Sequence, residues 1–167
     1  DDMYKTVSVT SIVLPEEKPR YLMGVGSPED IVNCVDYGID LFDCVLPTRV
    51  ARNGSLFTKY GRINVNRSIY RYASDPIEES CDCYTCSRYS MAYLNHLFKA
   101  KELLGYRLAT IHNLRFLVRL MEGMRKAVIG GTFQTFAGTF LERYQPADEN
   151  ARMKQRQKWS PSRLRNL

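Results

Sequence analysis

The fold of this chain depends on six residues that contain three cysteines, Cys81-Asp82-Cys83-Tyr84-Thr85-Cys86. A disulfide bond between cysteines this close would be strained, and any single bond would leave the third sulfur unpaired. A soft divalent metal ion can use all three sulfurs, because zinc prefers thiolate ligands and favours a tetrahedron of four. The pattern therefore indicates a zinc site. Three reduced cysteines packed in the core are the alternative interpretation.

The fourth ligand of such a site should be a Cys or a His further along the chain. The sequence has two histidines, and His96 lies inside a helical pattern with no feature that directs it towards the thiols. His112 lies between Thr110 and Asn113, which can both cap a helix, so we expect a helix to begin there. Four protein ligands leave no open position, which makes the site structural. We predict one zinc ion bound by Cys81, Cys83, Cys86 and His112.

Length and composition are those of a single globular domain. The chain has 167 residues, of which 44% are hydrophobic and 25% charged, so it can bury a substantial core. No apolar run approaches the ~18 residues that span a bilayer, and the first residues do not form a signal-peptide pattern. Cys34 and Cys44 are isolated from the cluster. We therefore expect a cytoplasmic protein, in a reducing compartment, with no membrane association.

The formal charge of +6 is concentrated at the end of the chain. Residues 152–167 contain six Lys or Arg and no acidic residue, whereas the rest of the chain has 18 residues of each sign. A basic tail of this kind attracts polyanions such as RNA without sequence specificity. A solvated, disordered terminus without a ligand is an equally simple interpretation.

A strand, a short helix and a second strand are predicted near the start of the chain. The apolar segments 20–26 and 40–47 indicate two buried strands. Between them, Ser27 is placed to cap a helix with Pro28 in its first turn, and Gly38 is placed to end it. The two strands should therefore lie parallel in one sheet, with their carboxyl ends at the same edge.

Functional residues of parallel sheets gather at this carboxyl edge. The edge would bring together Met23, Gly24, Asp43 and the segment 48–54. Taken alone, Asp43 is one acidic residue at a strand end, and a structural role is favoured over a catalytic one. A solvated loop is the less favoured alternative for the segment 48–54.

A hairpin and two longer helices are predicted further along. Residues 56–72 alternate around a turn at Tyr60-Gly61, which indicates two antiparallel strands. Apolar residues at helical spacing predict one helix over 90–104, ended by Gly105, and another over 113–129.

Residues 1–11 are expected to form the end of a helix, and one more short helix is expected within 132–144. The apolar stripe of the helix over 113–129 is typical of a core-facing surface rather than of a binding site. This stripe consists of Leu114, Leu117, Val118, Met121, Met124 and Val128.

Four long motifs in the chain match one known family. They are Tyr21-Leu22-Met23-Gly24-Val25-Gly26, the segment from Gly38 to Arg49, Ala51-Arg52-Asn53-Gly54, and the region from Cys81 through His112. Together they resemble the C-terminal part of tRNA-guanine transglycosylase (queuine tRNA-ribosyltransferase). The resemblance implies an α/β fold, the C-terminal portion of a (β/α)8 TIM barrel with an inserted zinc-binding subdomain. A complete barrel needs about 250 residues, so the chain is expected to hold only its last units.

The resemblance also implies how the chain is divided. Residues 1–55 would hold the last βα units with the nucleophile strand, and 56–112 the hairpin and zinc-binding subdomain. Residues 113–145 would form the terminal barrel helix region, and 146–167 a basic tail that we expect to be disordered. The upstream half of the family supplies the general acid/base and the guanine-reading residues. We therefore expect this chain to be inactive alone.

In that family an aspartate attacks the ribose carbon of a tRNA wobble guanosine, and guanine leaves. A 7-deazaguanine, preQ1 or queuine, then replaces it through a covalent intermediate. The resemblance implies that Asp43 is this nucleophile, a role that suits a carboxylate. The residues that bind the substrate base would be Tyr21, Met23 and Gly24. The residues that contact a tRNA with a GUN anticodon would be Thr48, Arg49 and Arg52.

The resemblance further implies a homodimer, with Tyr89, Tyr93 and His96 at the contact. The same residues are also typical of ordinary surface aromatics. A different class of function fits the chain as well: a non-catalytic, zinc-stabilised tRNA-binding or partner subunit that keeps the scaffold without the chemistry. The intact segment around Asp43 favours the enzyme.

Overall fold

The computed structural model describes residues 2–146. Residues 147–167, which include nearly all of the predicted basic tail, lie outside the described part. In chain order the elements are α1 Asp2–Val13, β1 Tyr21–Met23, α2 Pro28–Asp36, β2 Leu41–Asp43, α3 Leu46–Arg52, β3 Ser55–Thr58, β4 Gly61–Asn64, a 3-10 turn Ser68–Tyr70, α4 Tyr84–Arg88, α5 Met91–Lys99, α6 Leu103–Ile129 and α7 Phe133–Arg143.

The parallel unit predicted near the start is present. β1 and β2 pair in parallel, and their register sets Met23 opposite Asp43. The Ser27 hydroxyl accepts a hydrogen bond from the Asp30 N–H at 3.3 Å and caps α2. Gly38 follows α2 with φ of +86°, a conformation that a glycine adopts without strain. The unit places the ends of both strands at one edge.

The second predicted strand is shorter than expected. It stops at Asp43, and the chain enters α3 at Leu46 instead of continuing extended to Pro47. Pro47 lies in the first turn of α3, where its missing N–H leaves no helical hydrogen bond unmade. The predicted loop 48–54 is therefore mostly a helix.

The hairpin turns where it was predicted to turn. β3 and β4 pair antiparallel from Ser55 opposite Asn64 to Thr58 opposite Gly61. The pairing ends at Asn64, because the chain beyond it leaves the sheet and reaches the 3-10 turn, so the predicted extent to Tyr72 is wrong. Within residues 2–146 the strands form two separate two-stranded sheets. The described part is thus a mixed α/β structure.

The prediction that Gly105 ends a helix is wrong. The chain leaves α5 at Ala100 and Lys101, the latter with φ of +58°, and α6 then begins at Leu103. Gly105 lies inside α6, where a Cβ would be only 3.0 Å from the Cβ of Leu97. The glycine lets two helices approach closely. α6 is therefore one helix of 27 residues, and its middle carries both His112 and Asn113.

Helix α6 is the centre of the core. One buried cluster joins it to α5 and the hairpin through Leu56, Leu94 and Leu108. A second joins it to α2 and α7 through residues such as Met124 and Phe140. The predicted stripe is only partly correct, because Leu114, Val118 and Val128 are exposed whereas Phe116 and Leu120 are buried. In residues 2–146, no helix has both the length and the apolar character needed to cross a membrane.

Candidate metal centre and strand-end carboxylate

The three cysteines of the cluster and His112 meet at one point. The Nδ1 atom of His112 lies 3.7 Å from the Sγ of Cys81, 3.7 Å from that of Cys83 and 3.3 Å from that of Cys86. All four ligand atoms lie within 4.8 Å of one another. Zinc-to-ligand bonds of standard length place sulfur and nitrogen about 3.6 Å apart in a tetrahedron. The four side chains therefore fit a metal ion.

The cysteines are held by short local structures. Cys83 is the N-cap of α4, and its sulfur accepts a hydrogen bond from the Cys86 N–H at 3.3 Å. The N–H of Cys81 donates to the carbonyl of Glu78 at 3.1 Å, which closes the turn before the cluster. Thr85, fully buried, donates its hydroxyl to the Leu108 carbonyl at 2.7 Å and attaches α4 to α6. The sulfurs therefore face the helix that carries the histidine.

The histidine ring is oriented by a backbone group. Nε2 of His112 donates a hydrogen bond to the carbonyl oxygen of Phe57 at 2.7 Å. A donor at Nε2 leaves the lone pair of Nδ1 free, and Nδ1 is the nitrogen that faces the sulfurs. The prediction of His112 as fourth ligand therefore agrees with the geometry. Its expected place at a helix start is wrong, since Thr110 and Asn113 lie inside α6.

The electrostatics of the three sulfurs also favour a cation. Hydrogen bonds from Cys81 and Cys86 lower the pKa of the Cys83 thiol far below its ordinary value. The hydrogen bonds of Cys86 with Cys81 and Cys83 raise the pKa of the Cys86 thiol, whereas the pKa of Cys81 is lowered. Without a cation, the three sulfurs therefore do not all favour the thiolate form. A divalent cation removes this conflict and allows all three to bind as thiolates.

A charged pair next to the cluster was missed by the sequence analysis. Arg115 donates from Nε to one oxygen of Asp82 at 2.9 Å and from Nη2 to the other at 2.6 Å. Arg119 lies 3.9 Å from the same carboxylate. The hydrogen bond from Arg115 lowers the pKa of Asp82. The available signal was the spacing, since Asp82 lies between two ligands and Arg115 follows His112 by one helical turn.

The second site lies at the ends of β1 and β2. The Asp43 carboxylate is exposed, and its Oδ1 accepts hydrogen bonds from the Tyr21 hydroxyl at 2.7 Å and from the Gly24 N–H at 3.2 Å. The hydrogen bond from Tyr21, followed by that from Gly24, lowers the pKa of Asp43. The pKa of Tyr21 is raised by the same hydrogen bond. At neutral pH the site therefore holds a carboxylate beside a protonated phenol.

The structure brings the predicted base-binding residues to this carboxylate. Met23 is opposite Asp43 in the sheet and is 74% exposed. The three residues predicted to contact tRNA lie on α3, which begins three residues after Asp43. Arg49 and Arg52 are exposed, whereas the Thr48 hydroxyl donates to the carbonyl of Val45 at 3.0 Å.

Fold and sites together define a mixed α/β protein with a Cys3His cluster that could hold a metal ion and an exposed carboxylate at a parallel strand end. A family model described as queuine tRNA-ribosyltransferase matches residues 1–146. The chain belongs to this family.

Curated relatives named queuine tRNA-ribosyltransferase are similar to the chain along nearly its whole length. The protein of Dehalococcoides mccartyi is 52% identical over 98% of this chain and 42% of its own length. That of Dictyoglomus turgidum is 51% identical over 96% of this chain and 41% of its own length. That of Helicobacter pylori is 51% identical over 86% of this chain and 39% of its own length. The chain thus spans about two fifths of the length of these relatives.

Proposed function

We propose that this chain carries the nucleophile and the structural zinc site of a tRNA-guanine transglycosylase. The enzyme would exchange guanine for a 7-deazaguanine, preQ1 or queuine, at the wobble position of tRNAs with GUN anticodons. The observation that carries the proposal is the carboxylate of Asp43, ionised, exposed and held at a strand end by Tyr21 and Gly24.

The hydrogen bonds assign different tasks to the two carboxylate oxygens. Within the described part of the chain, both hydrogen bonds of Asp43 reach Oδ1, which fixes the carboxylate plane. Oδ2 is left to attack the ribose C1′ atom. A C–O bond forms, the glycosidic C–N bond breaks, and the departing guanine takes up a proton. In the second half the incoming base loses a proton, its nitrogen attacks C1′, and Asp43 leaves as a carboxylate.

The residues around Asp43 suit a flat, extruded base. Met23 offers an exposed, flexible apolar side chain against which a purine-like ring can pack. Gly24 has no side chain, which allows the base to approach the backbone closely. The Tyr21 hydroxyl remains a donor to Asp43, because its raised pKa keeps it protonated. The target nucleoside must leave its stack to be attacked, and a single-stranded anticodon loop permits this.

Helix α3 is proposed to contact the anticodon loop. Arg49 and Arg52 are one helical turn apart and both exposed, so they can reach phosphates or unstacked bases near Asp43. The Thr48 hydroxyl is already bonded to its own turn, so we assign it a position at the contact rather than a hydrogen bond to RNA.

The metal of the Cys3His cluster is proposed to be zinc, held by Cys81, Cys83, Cys86 and His112. A closed set of four protein ligands braces α4 against α6 and takes no part in the chemistry. A reducing compartment such as the cytoplasm would keep the sulfurs available, and none of the five cysteines forms a disulfide bond in the described part of the structure.

The full enzyme is proposed to be a (β/α)8 barrel in which 1–55 provide the last βα units, 56–112 the zinc-binding subdomain and 113–145 a terminal helix region. Its remaining strands would cover β1 and β2, where Tyr21 is 53% and Leu41 is 52% exposed. The upstream part would also supply the general acid/base. We therefore expect this chain to lack turnover alone.

A homodimer is proposed to form through an aromatic surface on α4 and α5. The rings of Tyr89 and Tyr93 stack at a centroid distance of 5.3 Å, and Tyr84 meets Tyr89 edge-on at 5.8 Å. Tyr93 and His96 are exposed beside them. A group of packed aromatic rings next to solvent is typical of the centre of a protein interface.

Covalent trapping tests the proposed function. The full-length enzyme is incubated with a tRNA that has a wobble guanine, denatured, and examined for a protein–RNA adduct. The adduct should form in the unmutated protein and be absent in Asp43→Asn. Asp36→Asn, on α2 and away from the strand ends, is the matched control and should retain it. An unmutated protein that binds tRNA without an adduct would instead favour the non-catalytic RNA-binding subunit.

A further inference from the structure

The side chain of Asn113, next to the metal ligand His112, has no part in the chemistry proposed above. It is completely buried, yet each of its polar atoms is bonded. Its Oδ1 accepts from the Phe57 N–H at 3.0 Å, and its Nδ2 donates to the Ser55 carbonyl at 3.0 Å and to the Pro47 carbonyl at 3.1 Å. One amide therefore joins three elements: α6, β3 and α3.

Asn113 and the metal ligand His112 hydrogen-bond to the same residue of β3, Phe57. His112 offers Nδ1 to the cluster and donates from Nε2 to the carbonyl of Phe57 at 2.7 Å. Asn113 receives the N–H of the same Phe57. Two consecutive residues of α6 thus hold both polar backbone groups of one strand residue, and the metal orients the first of them.

The bond to Pro47 extends this connection to α3. Pro47 and Ala51 form the buried face of that helix, and Ala51 packs in the same cluster as Leu108 and Ala109 of α6. The other polar groups at the start of α3 bond locally, the Leu46 N–H to the Cys44 sulfur and the Thr48 hydroxyl to Val45. The amide of Asn113 is therefore a directional link between α6 and the first turn of α3.

We propose that Asn113 is a positioning residue through which the metal centre holds α3, the helix that carries Arg49 and Arg52, in place beside Asp43. With the metal bound, His112 fixes this part of α6, and Asn113 transmits the position to the helix start. The consequence for RNA binding by Arg49 and Arg52 rests on the proposed function. The hydrogen-bonded link from α6 to α3 does not, because it joins only residues of this chain.

Hydrogen exchange with cobalt as the metal tests the link without RNA. Asn113→Leu removes the three hydrogen bonds and keeps the number and branching of the side-chain heavy atoms, and amides of 47–53 should exchange about tenfold faster or more. Asn95→Leu is the matched control: Asn95 is also buried, and donates to the carbonyls of Val65 and Arg67, neither of which belongs to α3. It should change exchange in 47–53 much less than Asn113→Leu does. The d–d spectrum of bound Co²⁺ should be the same in both variants and in the unmutated protein.

Two results would overturn the proposal. Equal exchange in 47–53 for the two variants would mean that Asn113 is only one more buried amide. A loss of the cobalt spectrum in Asn113→Leu would mean that it supports the ligand itself rather than α3. If Asn113→Leu does not fold, Asn113→Asp replaces it, because it keeps the acceptor for Phe57 and loses only the donors to Pro47 and Ser55.

A double-mutant cycle on anticodon-loop affinity adds a readout that a general loss of stability would not move. Asn113→Leu should weaken binding about tenfold in the full-length protein. It should have little further effect once Arg49 and Arg52 are both replaced by Ala, because the two changes act through one helix. Additive effects would overturn the link to RNA. Normal binding by the Arg49→Ala/Arg52→Ala protein would instead refute the proposed role of α3 in tRNA contact, and would leave the exchange result intact.

Discussion

The metal centre and the strand-end carboxylate differ in how much of their surroundings this chain provides. Around the cluster, Cys81, Cys83 and His112 are buried, and α4 and β3 supply hydrogen-bond partners to the ligands Cys83 and His112. At the ends of β1 and β2, Met23 and Asp43 are exposed. A closed structural site can be complete in a short segment, whereas a site that binds a substrate is assembled from several strands.

The largest expected effect is on the metal centre. Cys83→Ser removes a ligand but leaves a good N-cap for α4, so metal binding should be lost and residues 81–112 should become unprotected, because ligation and local folding are one event. Metal content by elemental analysis and hydrogen exchange measure this. Cys44→Ser, outside the cluster, is the control and should keep the metal. If residues 81–112 of Cys83→Ser stay protected from hydrogen exchange, the metal does not hold this segment together, and the contrast between the two sites is wrong.

A smaller effect is expected from the charged pair beside the cluster. Asp82→Asn removes the carboxylate that receives two hydrogen bonds from Arg115, an exposed pair, so metal should transfer to a chelator about two- to fivefold faster. The pKa of Asp82 is lowered, so the contribution of this pair is present above the ordinary pKa of an aspartate and is lost as the pH falls through the lowered value. Glu79→Gln, two residues before Cys81, should exchange metal at the normal rate.

Two glycine substitutions test how tightly the helices of the core are packed, one on α6, the helix that carries His112, and one on α7. Gly105→Ala should lower the free energy of unfolding by about 1–3 kcal/mol, because the new Cβ would press on Leu97 across the contact of α5 and α6. Gly138→Ala is the counterpart on α7, where nothing lies within 4 Å of the added carbon. It should raise the free energy of unfolding by about 0.5–1 kcal/mol. Chemical denaturation measures both, and equal signs would contradict the packing explanation.

The smallest effect is expected at the carboxylate. Tyr21→Phe removes the main cause of the lowered pKa of Asp43, so that pKa should rise towards the ordinary value of an aspartate. The carboxylate would then become protonated at higher pH, and the acidic limit of adduct formation should move in the same direction. NMR titration of the carboxyl carbon measures the pKa directly. Tyr72→Phe, 84% exposed and distant in sequence, should leave the titration unchanged.

The parts that could be predicted from the sequence depend on neighbouring residues. The spacing of Cys81, Cys83 and Cys86 is enough to place three sulfurs together, and Ser27 and Gly38 mark the ends of the connection between the parallel strands. These signals act within a few residues, so no tertiary information is needed.

The parts that could not be predicted depend on contacts between distant segments. Glycine is the residue type that most often ends a helix, so the sequence predicts a helix end at Gly105. Only the approach of Leu97 shows that this glycine serves helix packing. His112 was identified as a ligand, but its orientation comes from Phe57, 55 residues earlier. The roles of Asp43 and of α3 remain predictions, because they concern a substrate.

The contact between Gly61 and Gln145 has a consequence for self-association. Gly61 has φ of +124°, and the carbonyl of Gln145 lies where a side chain would be, so a larger residue there would displace the end of the described chain. Gln145 forms a parallel bridge with Gly61 and donates to the Tyr60 carbonyl at 3.2 Å. It thereby occupies part of the free edge of β4, which would otherwise offer unpaired backbone groups to a strand of another molecule. The return of the chain to its own hairpin therefore leaves less of that edge open to pairing with another strand.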